Sequence, residues 1–249
     1  MTSTLLRAVL LAVLALGAVG CQLRVGVGVD VDRNGAGVLA VSVGADRQLL
    51  AKAQEVGADP LGALLGQGRR LAEAGWRVTE DTPADGGREV RLSARFDSPE
   101  DFNVLASDLA EALAAPEVRL LEPFTLEVVD DRITVTGAAG IQPTSAITEL
   151  GVQPADAVRL ADEEAAVAYE VRVRLPGEVH SSTAPIQDHG TLVWGIRPGQ
   201  RVEVLAVGTR PPRPLLLVIA LVAEALAAAG VAVAAALRRR RQGRGRTAA

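Results

Sequence analysis

The stretch Leu23-Arg24-Val25-Gly26-Val27-Gly28-Val29-Asp30-Val31 decides the fold, because apolar residues alternate in it with small or polar residues. Successive side chains of a β-strand point to opposite faces of the sheet, so this pattern predicts a half-buried strand. The turn residues 34–37 follow, and the apolar segment 38–43 predicts a returning strand. The domain is therefore expected to open with a β-hairpin.

Further patterns along the chain predict a series of helices and strands. The clearest helix begins at Ser98, followed by Pro99 and two acidic residues, which are typical of a helix start. Its predicted buried stripe consists of Phe102, Leu105, Leu109 and Leu113. The other predicted helices cover 46–56, 60–75 and 154–164. The remaining predicted strands cover 76–79, 89–97, 124–129, 132–136, 168–175, 191–197 and 201–207.

The order of these elements predicts an α+β fold. We expect an antiparallel sheet or partial barrel of about eight or nine strands with three or four packed helices, plus one C-terminal transmembrane helix. Antiparallel pairing is expected because hairpins connect many of the strands, the last of them around Pro198-Gly199. Residues 178–190 are predicted to form a loop, and residues 21–208 the folded domain.

Residues 1–20 are predicted to be an export leader. Arg7 is followed by the apolar run 8–19, which as a helix would span roughly 18 Å, less than the ~30 Å hydrocarbon core of a bilayer. Small residues stand directly before Cys21 in the manner of a bacterial lipobox, so Cys21 is the predicted lipidation site. The alternative is cleavage by ordinary signal peptidase, because Ala18-Val19-Gly20 also has the small-x-small form.

A membrane anchor is predicted at the other end of the chain. Residues 209–214 contain three prolines and are predicted to form a stiff spacer. The 23 residues 215–237, with 22 apolar or small side chains and a single charge, are long enough to cross a bilayer. We interpret Glu224 within this span as a protonated glutamate, with a partner-binding group as the alternative. The arginine-rich tail 238–249 is expected in the cytoplasm. The sequence thus predicts a single-pass protein of the cell membrane with an extracytoplasmic domain.

The charge of the central region argues against one class of partner. Residues 22–213 contain 19 basic and 29 acidic residues, a net charge of about −10. Phosphates repel such a body at long range, so nucleic acid is not an expected partner. Cys21 is the single cysteine, which excludes an intrachain disulfide and a cysteine-rich metal site.

One segment begins like a calcium-binding loop, with Asp30, Asp32, Asn34 and Gly35 in succession. Such a loop normally supplies a bidentate glutamate at its twelfth position, where this chain has Val41. The alternation also places both aspartates on the solvent face of a strand. We therefore interpret the segment as a polar hairpin turn and not as a calcium site.

Catalytic chemistry has little support in the sequence. His180, Asp188 and His189 share the predicted loop, but no third ordered ligand accompanies the two histidines. No nucleophile elbow, phosphate loop or HExxH motif is present. We predict no catalytic residue, no metal and no cofactor, and hence a protein that is not an enzyme.

Three motifs near the end of the domain follow one another: Arg174-Leu-Pro-Gly-Glu-Val179, Thr191-Leu-Val-Trp-Gly-Ile-Arg-Pro-Gly199 and Val202-Glu-Val-Leu-Ala-Val207. Together with Cys21, the valine-rich strand and the turn at 34–37, they resemble the LppM-domain family of actinobacterial membrane-anchored lipoproteins. The resemblance implies a membrane-attached domain with a lipid-binding-like α+β fold and brings no catalytic residues. It also implies a link to envelope glycolipids such as phosphatidylinositol mannosides and, in pathogens, to host interaction.

Two hypotheses for the function follow. The first is a non-enzymatic, membrane-anchored envelope protein whose domain binds a membrane lipid or envelope glycolipid. Because the domain is acidic, such binding is expected in an apolar pocket between sheet and helices. The second is a structural or protein-interaction module with an envelope protein as its partner.

Overall fold

The computed structural model describes residues 22–55, 57–114, 118–143, 148, 153–163 and 166–210. The predicted leader 1–20, Cys21, the predicted span 215–237 with Glu224, and the tail 238–249 lie outside the described residues. None of the helices within these ranges is long and apolar enough to cross a membrane.

The described residues form four helices and twelve strands, which confirms the α+β class and the number of helices. The strands are β1 (Leu23–Val31), β2 (Gly37–Ala45), β3 (Arg77–Asp81), β4 (Arg88–Phe96), β5 (Val118–Leu121), β6 (Thr125–Val129), β7 (Arg132–Pro143), β8 (Val167–Arg174), β9 (Val179–Ser182), β10 (Ile186–Asp188), β11 (Thr191–Ile196) and β12 (Arg201–Thr209). The helices are α1 (Arg47–Glu55) and α2 (Gly62–Glu73) between β2 and β3, α3 (Pro99–Ala112) after β4, and α4 (Pro154–Glu163) before β8.

The strands form two sheets, so the expectation of one sheet or a partial barrel with eight or nine strands is wrong. The seven-stranded sheet has the order β10-β11-β8-β1-β2-β4-β3. The five-stranded sheet has the order β5-β7-β12-β9, with β6 also paired to β7, and neither sheet closes. Residues 178–190 are not a loop, since they contain β9 and β10. Strands of three or four residues such as β5, β9 and β10 are too short to show a clear alternation.

Strand β1 lies at the centre of the seven-stranded sheet. It pairs antiparallel with β2, as predicted, but parallel with β8. The expected purely antiparallel arrangement is therefore wrong at this pair. The physical reason is the connection: the chain enters β8 from the five-stranded sheet through α4 and not through a hairpin, and a long crossover permits parallel pairing.

One face of the seven-stranded sheet is apolar and forms the core. The valines at positions 25, 27 and 29 of β1 are buried beside apolar residues of the neighbouring strands, which include Leu39, Val41, Leu92, Phe96, Val171, Val173, Leu192 and Trp194. Helices α1, α2 and α3 add Leu49, Leu64 and Phe102 to this core. Burying each such side chain contributes about 1.5–3 kcal/mol, so this inner face dominates the stability of the domain.

Helix α3 begins as the sequence predicts. The Ser98 hydroxyl accepts a hydrogen bond from the Asp101 amide at 3.2 Å, which satisfies one free donor of the first turn. Phe102 and Leu109 of the predicted stripe are fully buried. The other two stripe residues pack at the edge of the core, and Ala106 and Ala110 are buried beside them.

Thr183, between β9 and β10, connects the two sheets through its hydroxyl. Its Oγ1 accepts a hydrogen bond from Trp194 Nε1 of the seven-stranded sheet at 3.1 Å. The same hydroxyl donates to the Glu203 carbonyl at 2.8 Å and accepts from the Leu205 amide at 3.0 Å, both in β12 of the five-stranded sheet. Trp194 is thereby fixed in the core with its indole N–H satisfied.

Tyr169 of β8 makes a second connection. Its phenol donates a hydrogen bond to the Leu120 carbonyl of β5 at 3.0 Å, while the ring lies in the core. Burial raises the pKa of the Tyr169 phenol above its ordinary value, since the charged phenolate would lose its water.

The predicted hairpin around Pro198-Gly199 is wrong. Strand β11 belongs to the seven-stranded sheet and β12 to the five-stranded sheet, so the turn carries the chain from one to the other. The Gly199 amide donates to the Ile141 carbonyl of β7 at 2.8 Å, and a Cβ at Gly199 would lie 2.7 Å from Val158 of α4. Docking of the turn on β7 and α4 directs β12 away from β11.

Replacing Thr183 with valine should lower the free energy of unfolding by about 1–2 kcal/mol, because the Trp194 N–H loses its acceptor inside the protein. Chemical denaturation measures this change. Thr79→Val is the matched control, since Thr79 lies exposed on the edge strand β3 and its side chain makes no hydrogen bond within the described residues. Equal effects of the two substitutions would contradict the connecting role of Thr183.

The chain contains one tyrosine, so its ionisation can be followed by absorbance at 295 nm. The folded pKa of Tyr169 lies above the unfolded value of about 10, so its contribution to stability is complete below pH 10 and is lost as the pH rises further. We expect tyrosinate to appear only together with unfolding, and Tyr169→Phe to weaken the loss of stability above pH 10. A tyrosinate signal near pH 10 in the folded protein would contradict this expectation.

Candidate functional site

The face of the seven-stranded sheet opposite the core carries a groove, here called the outer groove. Its floor lies on β1 and β2, where Gly26 stands opposite Ser42 and Gly28 opposite Ala40. Because the valines of β1 point into the core, the alternating glycines must point outward. A cavity of about 770 Å³ lies over these small residues.

Charged residues of β8 and β4, the strands that flank β1 and β2, form the two walls of the outer groove. On one side β8 contributes Glu170 and Arg172, and on the other side β4 contributes Glu89 and Arg91. Strands β8 and β4 are three strand spacings apart, about 14 Å. Arg172 donates a hydrogen bond to Glu170, which raises the pKa of Arg172. Arg91 makes no ion pair with any residue that the structure describes.

An ion pair closes one end of the floor. Arg24 Nη2 contacts the Asp85 carboxylate at 2.8 Å and so joins the start of β1 to the turn between β3 and β4. The backbone amide of Gly87 donates to the same carboxylate at 2.9 Å. This amide and, to a smaller extent, the guanidinium of Arg24 lower the pKa of Asp85. The pair is therefore ionised at neutral pH.

The outer groove continues on the far side of β8. There Gly195 of β11 lies in its lining, together with Pro185, Ile186 and Arg197. Ile186 is a large apolar residue that is 55% exposed. The groove thus combines small residues, one exposed apolar side chain and charged rims.

Two of the lining glycines are not required by packing. A Cβ added at Gly28 or at Gly195 would meet no atom within 4 Å, and neither has a positive φ. By contrast, a Cβ at Gly137 of β7 would lie 1.9 Å from Phe124. Glycine inside a strand is destabilising by roughly 0.5–1 kcal/mol relative to alanine. Glycine tolerated at that cost is typical of places where a ligand approaches the backbone closely.

The segment that begins like a calcium loop is a hairpin turn. Asp32 Oδ1 accepts hydrogen bonds from the amides of Asn34 at 2.6 Å and Ala36 at 3.1 Å. The Asp30 carboxylate lies 3.6 Å from the guanidinium of Arg174 on β8. The Asp32 carboxylate therefore stabilises the turn, and the Asp30 carboxylate pairs with an arginine of the neighbouring strand.

The two histidines lie in different elements, one in a strand of the five-stranded sheet and the other in the turn between β10 and β11. His180 is on β9, where its Nε2 lies 3.0 Å from Thr209 Oγ1, and His189 follows β10 and contacts Asp188. Within the described ranges, no group of three or more His, Cys, Asp or Glu side chains is arranged to hold a metal ion. Of the other residues considered from the sequence, Cys21 and Glu224 fall outside the described part of the chain.

Sequence reasoning placed Gly26 and Gly28 on the solvent face but did not identify the outer groove. The walls depend on pairing between distant segments, such as that of Gly28 in β1 with Arg172 in β8. No local sequence pattern predicts the register between these strands. The available signal was the repeated glycine inside a strand, where packing alone favours larger residues.

We expect Gly28→Val and Gly195→Val to raise the free energy of unfolding by about 0.5–1 kcal/mol each, because both side chains have room and valine favours strands. Gly137→Ala should lower it by about 1–3 kcal/mol, since its Cβ would overlap the ring of Phe124. Urea denaturation of the three variants measures these changes. Destabilisation by the first two substitutions would show that the fold itself needs these glycines.

Comparison with known proteins gives one structural likeness. No family model and no curated protein matches the chain. Among solved structures, the chain is similar to the NMR structure of the folded domain of the Mycobacterium tuberculosis LppM protein, with 14% sequence identity and a TM-score of 0.48. The match covers 78% of this chain and 94% of that one. The likeness concerns the arrangement of the backbone, and no residue or ligand of that protein is carried over.

Proposed function

We propose that this chain is a membrane-anchored envelope protein whose extracytoplasmic domain binds a lipid or glycolipid in the outer groove without catalysing a reaction. The observation that carries the proposal is the open space above Gly28 on the floor and above Gly195 on the far side of β8, since the packing of the fold requires neither glycine. The volume of about 770 Å³ lies in the range of small-molecule sites.

The shape of the outer groove suits an amphiphile. Its floor consists of glycine and alanine with the short side chain of Ser42, so an acyl chain or a row of sugar rings can lie along β1 and β2. The walls present charged groups to a polar head. Each methylene removed from water contributes about 0.8 kcal/mol, so even a partly buried chain adds affinity.

This site differs from the pocket between sheet and helices that was expected from the sequence. Large side chains occupy the described core, and Trp194, Phe96, Phe102 and Phe124 are among those fully buried there. The outer groove lies on the opposite face and is open to solvent. We therefore propose that the ligand stays partly exposed and exchanges readily.

The predicted ends of the chain support a location at the membrane surface. An export leader at 1–20 and a membrane span at 215–237 would hold the domain outside the cytoplasm and close to lipid. The motif resemblance described above also favours an envelope role. A protein tethered in this way meets membrane lipids at high local concentration.

Binding of a short-chain phospholipid tests the proposal. The full chain in a mild non-ionic detergent is titrated with dihexanoyl phosphatidylglycerol by isothermal calorimetry. We expect the wild type to bind and the double variant Gly28→Val, Gly195→Val to lose at least about tenfold in affinity, because the two valines would occupy part of the outer groove on either side of β8.

Gly66→Ala is the matched control, since Gly66 of α2 also has open space around its Cβ position but lies outside the outer groove. This variant should bind like the wild type. Absence of binding by the wild type, or unchanged binding by the double variant, would overturn the proposal. Crosslinking of the chain in membranes to one specific protein, without lipid binding, would favour the alternative interaction module.

A further inference from the structure

We propose that the free edge of strand β3 is a self-association surface, at which two copies of this chain pair antiparallel around Thr79. The residues that meet in this pair, Arg77–Asp81, do not line the outer groove. The proposal is therefore independent of the ligand binding proposed above, and a failure of either one leaves the other standing.

Strand β3 forms one edge of the seven-stranded sheet. Among the described residues it pairs with β4 alone, and four of its five residues are exposed. The outer side of an edge strand carries backbone amides and carbonyls that no other strand satisfies, so a further strand can pair with them. The edge is thus open to a short extended segment.

The two ends of β3 carry opposite charges on the face of the sheet opposite the core, here called the outer face. Val78 stands opposite the buried Leu92 of β4 and so lies on the core side. The alternating residues Arg77, Thr79 and Asp81 therefore point to the outer face. The side chains of Arg77 and Asp81 make no ion pair or hydrogen bond within the described residues.

The surroundings of Asp81 favour an additional positive charge. Asp81 stands directly opposite Glu89 of β4 on the outer face. Like charges in this position destabilise a strand pair. Neither carboxylate has an ion-pair partner in the part of the chain that the structure describes. An arginine brought to the free side of Asp81 would relieve this repulsion.

The charge pattern of β3 is complementary to itself. When two copies of β3 run antiparallel about a two-fold axis at Thr79, Arg77 faces the partner's Asp81 and Asp81 faces the partner's Arg77. Thr79 faces its own copy. A register centred on Glu80 would instead place two glutamates opposite each other. The charges of β3 therefore select the register centred on Thr79.

The same charges limit the choice of partner. Charged side chains on an edge strand resist pairing with most other strands. A second copy of β3 matches them at both ends, and such complementarity gives specificity to an interface. With five residues in each strand the interface is small, so we expect a weak and reversible dimer.

The dimer would join the two seven-stranded sheets into one. Because Arg77 and the partner's Asp81 lie on the same face, the outer faces of the two copies lie on the same side of the joined sheet. Both outer grooves then open in one direction.

Charge reversal tests this register. Analytical ultracentrifugation of the full chain in a mild non-ionic detergent measures the dissociation constant of the dimer. We expect Arg77→Asp and Asp81→Arg each to weaken the dimer at least about tenfold, because each replaces two attractive pairs by two repulsive ones. The double variant Arg77→Asp, Asp81→Arg exchanges the two charges and should dimerise like the wild type.

Arg33→Asp is the matched control for a charge reversal. Arg33 is exposed in the turn between β1 and β2 and makes no ion pair with any described residue, so this variant should dimerise like the wild type. Urea denaturation shows whether each variant remains folded.

Thr79→Cys provides a second measurement. Each cysteine would face its own copy on the two-fold axis, so mild oxidation should give a disulfide-linked dimer on a non-reducing gel. Val129→Cys is the matched control, because Val129 is exposed but lies in the five-stranded sheet. The natural Cys21 is present in both variants, so the difference between them reports position 79.

Three results would overturn the proposal. The first is a wild type that stays monomeric at every concentration, and the second is a dimer that neither single reversal weakens, since such a dimer is held elsewhere. The third is a folded double variant that fails to recover the dimer. Equal cross-linking of Thr79→Cys and Val129→Cys would likewise contradict pairing at β3.

Discussion

The register of the seven-stranded sheet around β1 is the constraint on which the rest of the structure depends. The valines of β1 must all face the core, and a slip of one residue would turn every one of them to solvent. The same register places Gly26 and Gly28 outward, beside the walls that β8 and β4 provide. The apolar core therefore fixes not only the stability of the domain but also the position of each residue in the outer groove.

Local chemistry explains how much of the fold could be predicted. The hairpin of β1 and β2 and the N-cap at Ser98 depend on residues close in sequence, and both were predicted correctly. The turn at Pro198-Gly199 has the same local signature as a hairpin, yet its contact with Ile141 sends the chain to another sheet. Strand β7 runs seven residues past its predicted end, because pairing with β12 stabilises a glycine- and alanine-rich segment with little strand propensity of its own.

In the candidate site, too, features set by neighbours in the sequence could be predicted, whereas features set by strand pairing could not. The segment at Asp32 begins like a calcium loop, but its sequence favours a hairpin turn, and the hydrogen bonds that Asp32 accepts from the amides of Asn34 and Ala36 confirm that turn. No local pattern distinguishes Arg91 and Arg172, and they form the walls of the outer groove only because β4, β2, β1 and β8 are aligned. Thr183 had no distinguishing pattern either, although its hydroxyl joins the two sheets. When the role of a residue depends on pairing between distant segments, the local sequence around that residue contains no pattern that predicts the role.

The two faces of β1 have different surroundings, one in the core and the other in the outer groove. Odd-numbered positions from Val25 to Val31 are buried in the core, whereas the even-numbered positions Gly26 and Gly28 face outward, and a Cβ at Gly28 would meet no atom within 4 Å. Substitutions at the even positions can therefore reshape the floor while the interior stays intact. A fold built this way can change the outer surface of its sheet one exposed residue at a time, without passing through unstable intermediates.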